Sequence, residues 1–302
     1  MSPSPWATKP IRSILWGSTQ QQQDYSNIMN EMLCILPFEP SYFSSKSAFI
    51  GHPCLETNHF RGTTPMPLNQ FHIRQPQWAA RIHPRVQVRP SVRKITFFPG
   101  SRHQEIKVAM KIMAELIPSI QREFEISISV IESTKQYLQE FLAAHNFIAT
   151  LVSSKEELFT KTDLAIAISG TIVTELGANS IPTIVFYDAG LLTRYIAKKI
   201  ALVKHVSIPN ILADETIIPE HLFSQCNAHS ILKSVKTLTC SQLARQYQVD
   251  RVQAILPKLV NWDESKQSPV PPTALITQKC LDYIMVDHNK SKFKTTQTRV
   301  VE

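Results

Sequence analysis

DLAIAISGTIVTELGANSIPTIVFY, Asp163–Tyr187, reads as strand, turn, helix and strand in direct succession. Asp163–Ser169 is apolar at consecutive positions, the pattern of a strand buried on both faces. A Ser-Gly turn follows, then a helix over Thr171–Ala178 and a second buried strand over Pro182–Tyr187. Two strands joined through a helix must run parallel, because only a crossover returns the chain to the starting edge. The pattern repeats upstream. KITFFPG (Lys94–Gly100) is a β-branched and aromatic run closed by Pro-Gly. Ile106, Met110, Met113, Ile117 and Ile120 then recur at helical spacing, which predicts a helix over Arg102–Arg122 that Pro118 kinks or ends early. Strands at Glu125–Ser133 and Ala149–Val152 alternate with helices at Gln136–His145 and Lys155–Thr160, and Leu191–Leu202 predicts another helix. The fold class is α/β, a doubly wound, Rossmann-like parallel sheet. Such sheets bind ligands beyond the carboxyl ends of their strands.

The flanks are less regular. Leu33–Phe38 and Ser47–Gly51 read as strands, and Gln20–Gln23 as loop. Residues 57–92 hold five prolines (65, 67, 76, 84, 90) without a sustained hydrophobic period, as a linker does. Beyond Asp287 the chain turns polar and basic, which predicts a disordered tail over 288–302. Hydrophobic residues make up 43% and charged residues 19% of the 302, so a wholly disordered chain is excluded. No apolar run reaches the ~18–20 residues of a spanning helix, and the opening residues lack the apolar core of a signal peptide. Five cysteines without a CxxC pair argue for a reducing compartment and against a structural zinc site. The net charge of +8 is concentrated: 57–104 contains no acidic residue and eight cations. That patch suits an anionic partner or a solvated basic connector, and the two readings stay open.

Gly100 and Gly170 each end a strand and open a helix. Glycine lets backbone N–H groups approach a ligand, and a helix start adds partial positive charge. Neither turn is a Walker A loop or GxGxxG, which argues against an NTPase or a nicotinamide dehydrogenase. Arg102, beside Ser101, could grip a diphosphate, or face solvent while Ser101 and Gln104 form a capping box. Thr171 and Glu175 share a helix face. They could meet a phosphate and a ribose diol, or Glu175 could simply complement the helix dipole. The ten histidines form no HxxxH or HExxH, so no metal site is expected. GxSxG is absent, and aromatic residues do not interleave with the basic patch as RNA binding needs.

Read together, these segments resemble the lipid-A-disaccharide synthase family of GT-B-type glycosyltransferases. SPSPWAT (Ser2–Thr8) is similar to its SPSVWAW segment. MLCILPFEPSYF (Met32–Phe43) and FIGHPCLE (Phe49–Glu56) resemble LPFE and VGHPL-x-D. FFPGSRHQEI (Phe97–Ile106) resembles LPGSR-x-x-E. The Ser169–Tyr187 segment resembles SGT-x-x-LE with its P-x-V-V-x-Y strand, and the stretch through VSIPN and IIPE (to Glu220) resembles YVSLPN and VPE.

The resemblance implies a GT-B-like fold: a remnant of the N-terminal acceptor domain over 1–56, the linker 57–92, a UDP-sugar-binding domain over 93–287 and the tail. It implies transfer of 2,3-diacylglucosamine from its UDP donor to 2,3-diacylglucosamine 1-phosphate, with inversion and without metal or cofactor. Ser101 and Arg102 would face the diphosphate, Gly170 and Thr171 would bind it at a helix start, Glu175 would hold the ribose, Asn210 would contact the donor, and Gly100 and Ser169 would belong to the same UDP-sugar site. An anionic membrane surface on the inner face of a Gram-negative-type inner membrane is the expected location, with a homodimer left open and nucleic acid not expected. The family has a longer N-terminal half, where its general base is expected, so a chain that only binds a UDP-sugar is the alternative. Glu56 replaces the family's Asp, Thr8 its second Trp, and Phe223 the Gln after VPE.

Overall fold

The computed structural model describes residues 31–43, 47–56, 88–89, 91–188, 204–263, 265 and 268–297. The Ser2–Thr8 segment, the Gln20–Gln23 loop, nearly all of the 57–92 linker and the helix expected at Leu191–Leu202 lie outside them. Six parallel strands form the sheet: β3 (Lys94–Phe98), β4 (Glu125–Ser129), β5 (Thr150–Val152), β6 (Leu164–Ile168), β7 (Thr183–Tyr187) and β8 (Glu220–Leu222). Their order is β5-β4-β3-β6-β7-β8, so the winding reverses between β3 and β6. The doubly wound arrangement read from the sequence is the one observed. Helices α1 (His103–Ile120), α2 (Glu132–His145), α3 (Lys155–Lys161), α4 (Thr171–Ala178), α5 (Ile208–Ala213), α6 (Ala228–Cys240) and α7 (Gln242–Ile255) cover the sheet.

Strand alternation explains the two cores. Ile95 and Phe97 of β3, Leu164, Ile166 and Ile168 of β6, and Ile184 and Phe186 of β7 face one layer, with α1, α2 and α6. Phe98, Ala165, Ala167 and Val185 face the other, with α3, α4, α5 and α7. Every residue of β6 is buried, which is why that run carries no polar residue. Helix α1 continues two residues past Pro118, which sits inside its last turn.

Residues 31–56 are bound to the later part of the chain. Strands β1 (Met32–Cys34) and β2 (Ser47–Phe49) pair in parallel, shorter than the two runs read from the sequence. After Cys34 the chain turns, because buried Glu39 accepts the backbone N–H groups of Ile35 and Leu36 at 2.9 Å each. His52 N donates to Leu259 O at 2.8 Å, and Asn261 Nδ2 to Phe49 O at 2.9 Å. Asn261 belongs to β9 (Asn261–Asp263), which pairs antiparallel with β10 (Ser268–Val270). Cys54 and Leu55 enter the second core beside Val173 and Leu176 of α4. All five cysteines are free thiols. Helix α8 spans Pro272–Gln297, which corrects the expectation of a disordered tail from 288: the backbone is helical through Gln297. Polar composition alone does not preclude a helix in a segment free of glycine and proline. Among the described residues no helix is long and apolar enough to cross a membrane.

Candidate functional site

The two glycine turns predicted from sequence follow β3 and β6, the neighbouring strands between which the winding reverses. Crossovers leave a crevice at that point, beyond the carboxyl ends of the strands. The turns also touch: a Cβ built on Gly100 would lie 3.1 Å from Cγ2 of Ile168.

The two glycines have different causes. Gly100 has φ +92°, a left-handed backbone that other residues adopt at a cost. A Cβ there would lie 2.3 Å from Oε2 of Glu105. That carboxylate folds back over the turn and accepts the backbone N–H groups of Ser101 and Arg102, at 3.1 Å each. Its other oxygen accepts Arg102 Nη1 at 2.7 Å. Glu105 thus caps α1, not the Ser101–Gln104 pair expected from the sequence. Arg102 is the N-cap residue, one position before the first turn where the sequence reading put it. An arginine has no acceptor to return the bond, so only the glutamate half of the reciprocal box is made. Burial pushes the Glu105 carboxyl up, but the Arg102 guanidinium and the two N–H groups outweigh it and hold it below the usual carboxylate range. The Arg102 side chain is 83% exposed even within this pair.

At Gly170 nothing among the described residues needs a glycine. Its φ of 162° is extended backbone, and an added Cβ would find no atom of the described residues within 4 Å. None of them fills the space beside this peptide, at the start of α4 and at the mouth of the crevice. Ser169 is half-buried and donates its hydroxyl to Val206 O at 3.1 Å. Thr171 is exposed, at the first position of α4. Glu175 lies one turn further, its side chain 15% exposed, with Oε2 accepting Lys155 Nζ at 2.7 Å. The segment His52–Leu55 packs against the same helix. Burial holds the His52 imidazole below its ordinary range although Glu175 opposes this, and its Nδ1 accepts Cys54 N at 3.2 Å. Burial first, then the Glu175 charge, pushes the Cys54 thiol up to about 12.

Asn210 does not join this surface. It is fully buried in α5, with Nδ2 donating to Ile218 O and to Glu220 Oε1 at 2.8 Å each. Oδ1 accepts Ile217 N and Ile218 N at 2.9 Å each. A carboxamide has two donors and two lone pairs, so all four are used. With these four bonds Asn210 locks the loop into β8. Glu220 acts beside it, its carboxylate accepting Val206 N at 3.0 Å, Ser207 N at 2.9 Å and Ser207 Oγ at 2.5 Å. Since Val206 O receives Ser169, the Glu220–Asn210 cluster supports the Gly170 turn from behind. His205, 1% exposed, lies 4.0 Å from Glu220; burial lowers its pKa more than that carboxylate raises it. Phe223 has φ +51°, unusual for a bulky residue, and meets Tyr187 edge-on with ring centroids 6.4 Å apart.

Seven of the eight residues expected from sequence therefore gather at one sheet edge, and Asn210 stands behind it. Glu105, Lys155, His52 and Glu220 were missed. The spacing of Glu105 from Ser101 and Arg102 was a readable signal, as an acidic residue in the first turn of a helix. The other three act across long sequence separations and leave no local pattern. Among the described residues no group of three or more His, Cys, Asp or Glu side chains could hold a metal ion.

Comparison with known proteins bears on what this edge does. Lipid-A-disaccharide synthase from Rickettsia typhi is 29% identical over 267 residues, 86% of this chain and 64% of that protein. The protein of that name from Rhodospirillum centenum is 24% identical over 295 residues, 94% of this chain and 66% of its own. The chain thus spans about two thirds of the length of these curated relatives. A solved glycosyltransferase from Rickettsia africae is similar at 13% identity over 80% of this chain and 63% of its own, with a TM-score of 0.45, too low to carry an argument. The family described as lipid-A-disaccharide synthetase matches residues 1–269, a span that contains both glycine turns, Glu175 and the buried loop that supports them. On that match, the chain belongs to the lipid-A-disaccharide synthetase family.

Proposed function

We propose that the edge formed by the β3 and β6 turns holds the UDP portion of UDP-2,3-diacylglucosamine, and that the protein transfers the sugar to 2,3-diacylglucosamine 1-phosphate. The observation that carries this reading is Gly170: a glycine that neither its backbone conformation nor its packing among the described residues requires, at the winding reversal. A diphosphate there would meet backbone N–H groups of α4 and the Thr171 hydroxyl. Arg102 would leave Glu105 to pair with it. In the transfer, the acceptor's 6-hydroxyl gives its proton to a general base, which the family resemblance places in the N-terminal half, and its oxygen forms a bond to the anomeric carbon; the carbon–oxygen bond to the diphosphate breaks, and UDP leaves with the electron pair. Fixed positive groups lower the barrier where that charge builds. The family membership and the charge of 57–104 favour an anionic membrane surface as the place where both lipid substrates are met.

Calorimetry with UDP in excess chelator tests the site. Saturable binding is expected for the unaltered chain. Gly170→Ala should fold with a stability within about 1 kcal/mol of the parent, the usual cost of alanine at an N-cap. Yet it should bind UDP at least about tenfold more weakly, because the methyl group occupies the space of the phosphate and close contact is worth a hydrogen bond or more. Full affinity in Gly170→Ala would place the nucleotide elsewhere. Arg102→Ala should weaken UDP by about ten- to a hundredfold, the range for a charge-assisted hydrogen bond, and leave uridine nearly unaffected. Equal losses for both ligands would make Arg102 a structural residue.

A further inference from the structure

Lys155 is the first residue of α3 and stands at the positive end of that helix, the unfavourable end for a cation. Glu156 and Glu157 of the same turn sit there favourably, and Ser154 already caps the helix through Glu157 N at 3.2 Å. The lysine therefore does not serve its own helix. It reaches across to α4, twenty residues on in sequence, and places Nζ 2.7 Å from Oε2 of Glu175. The Glu175 side chain is 15% exposed while that of Lys155 is 54% exposed, so the carboxylate is the inner partner and the lysine closes it from the solvent side. Cys54 and Leu55 pack in one core with Val173 and Leu176 of the same helix, and Glu175 is the one charge that acts appreciably on His52.

This arrangement uses one carboxylate oxygen and leaves the other. Glu175 Oε2 is held, and no hydrogen bond engages Oε1 among the described residues. An unpaired carboxylate turns about its terminal bond; a lysine held on one oxygen limits the directions that the other can take. The oxygen that remains is an anionic acceptor on a residue one turn from the start of α4. A sugar hydroxyl donates to such an acceptor, and a methylene in its place cannot.

We propose that Lys155 is a positioning residue which makes this site select ribonucleotides over deoxyribonucleotides, by holding Oε2 of Glu175 so that Oε1 faces the ribose hydroxyls. The inference rests on the nucleotide reading of the Gly170 edge given above. Lys155 itself touches no substrate; it acts through Glu175.

The test is calorimetric, on the full chain, with UDP and 2′-deoxy-UDP as the two probes. The unaltered protein should prefer UDP by about tenfold, the worth of one hydrogen bond to a charged acceptor. Lys155→Met keeps the aliphatic stem and removes the charge. It should shrink that preference to about twofold or less through weaker UDP binding, while 2′-deoxy-UDP moves by less than about threefold. Lys155→Arg, which can still reach a carboxylate, should restore most of the preference. A parallel loss for both nucleotides in Lys155→Met would overturn the proposal and assign the lysine to the phosphates or to the fold. So would an unchanged preference accompanied by a lower melting temperature, the signature of a strut between α3 and α4. If the unaltered protein binds UDP without preferring the ribose, the positioning role falls while the nucleotide site stands. If it binds no UDP, the site reading itself fails and takes this inference with it.

Discussion

Asn210→Ala should lower the stability of the folded chain by about 2–4 kcal/mol, as a denaturant titration with unchanged slope would report. The reason is the saturation of its side chain. Four hydrogen bonds disappear, three of them buried, and Ile218 N and Ile218 O lose the partners that Asn210 supplies. A buried donor or acceptor stripped of its partner costs about 1–3 kcal/mol. Ile217 N keeps a second acceptor, Glu215 O at 3.1 Å, which limits the loss. UDP affinity should fall only as far as the loop loosens its hold on Ser169. The opposite outcome, a large loss of affinity at unchanged stability, would return Asn210 to the ligand-contacting role that its place in SIPN suggests. Asn210→Asp sharpens the comparison. It preserves the two acceptor bonds, loses the donor to Ile218 O, and sets a second carboxylate against Glu220.

Gly100→Ala should cost about 2–4 kcal/mol, by two routes that act at one atom. A left-handed backbone costs a residue with a Cβ about 1–2 kcal/mol. The added methyl would also fall 2.3 Å from Glu105 Oε2, so the carboxylate must leave the turn. With it go both backbone bonds at the start of α1, and loss of a helix cap costs about 0.5–2 kcal/mol. The control is Glu105→Ala in both backgrounds. Alone it removes the cap; combined with Gly100→Ala it removes the clash as well. The two changes should therefore be strongly non-additive, with the double variant little worse than Gly100→Ala. Simple addition of the two losses would mean that the alanine does not displace Glu105. Strain at Gly100 would then come from the backbone alone.

The parallel sheet was legible before any coordinates. Its evidence is local: buried runs of five residues such as Leu164–Ile168, punctuated by glycine and followed by helical spacing. Each strand needs apolar side chains on both faces, and that demand writes itself into consecutive positions. The two turns were legible for the same reason, since a strand that ends in glycine and opens a helix is a pattern within a few residues. What each glycine is for was not. Gly100 makes room for the protein's own Glu105, while Gly170 borders space that no described residue fills, and the sequence motifs look alike. Asn210 was read as a ligand contact because its motif matches; its amide turned out to be filled by Ile217, Ile218 and Glu220. The helical course of 288–297 was hidden by a polar composition that suits helix and coil equally. The pairing of Lys155 with Glu175, and of Asn261 with Phe49 O, joins residues 20 and 212 positions apart. The amino-acid sequence thus determined five of the six strands of the sheet and their parallel sense, because backbone hydrogen bonding and burial act over a few neighbouring residues. Only the tertiary structure decided which polar groups are already spent on one another and which still face the crevice, because hydrogen-bond satisfaction depends on what folding brings within about 3 Å, whatever the distance along the chain.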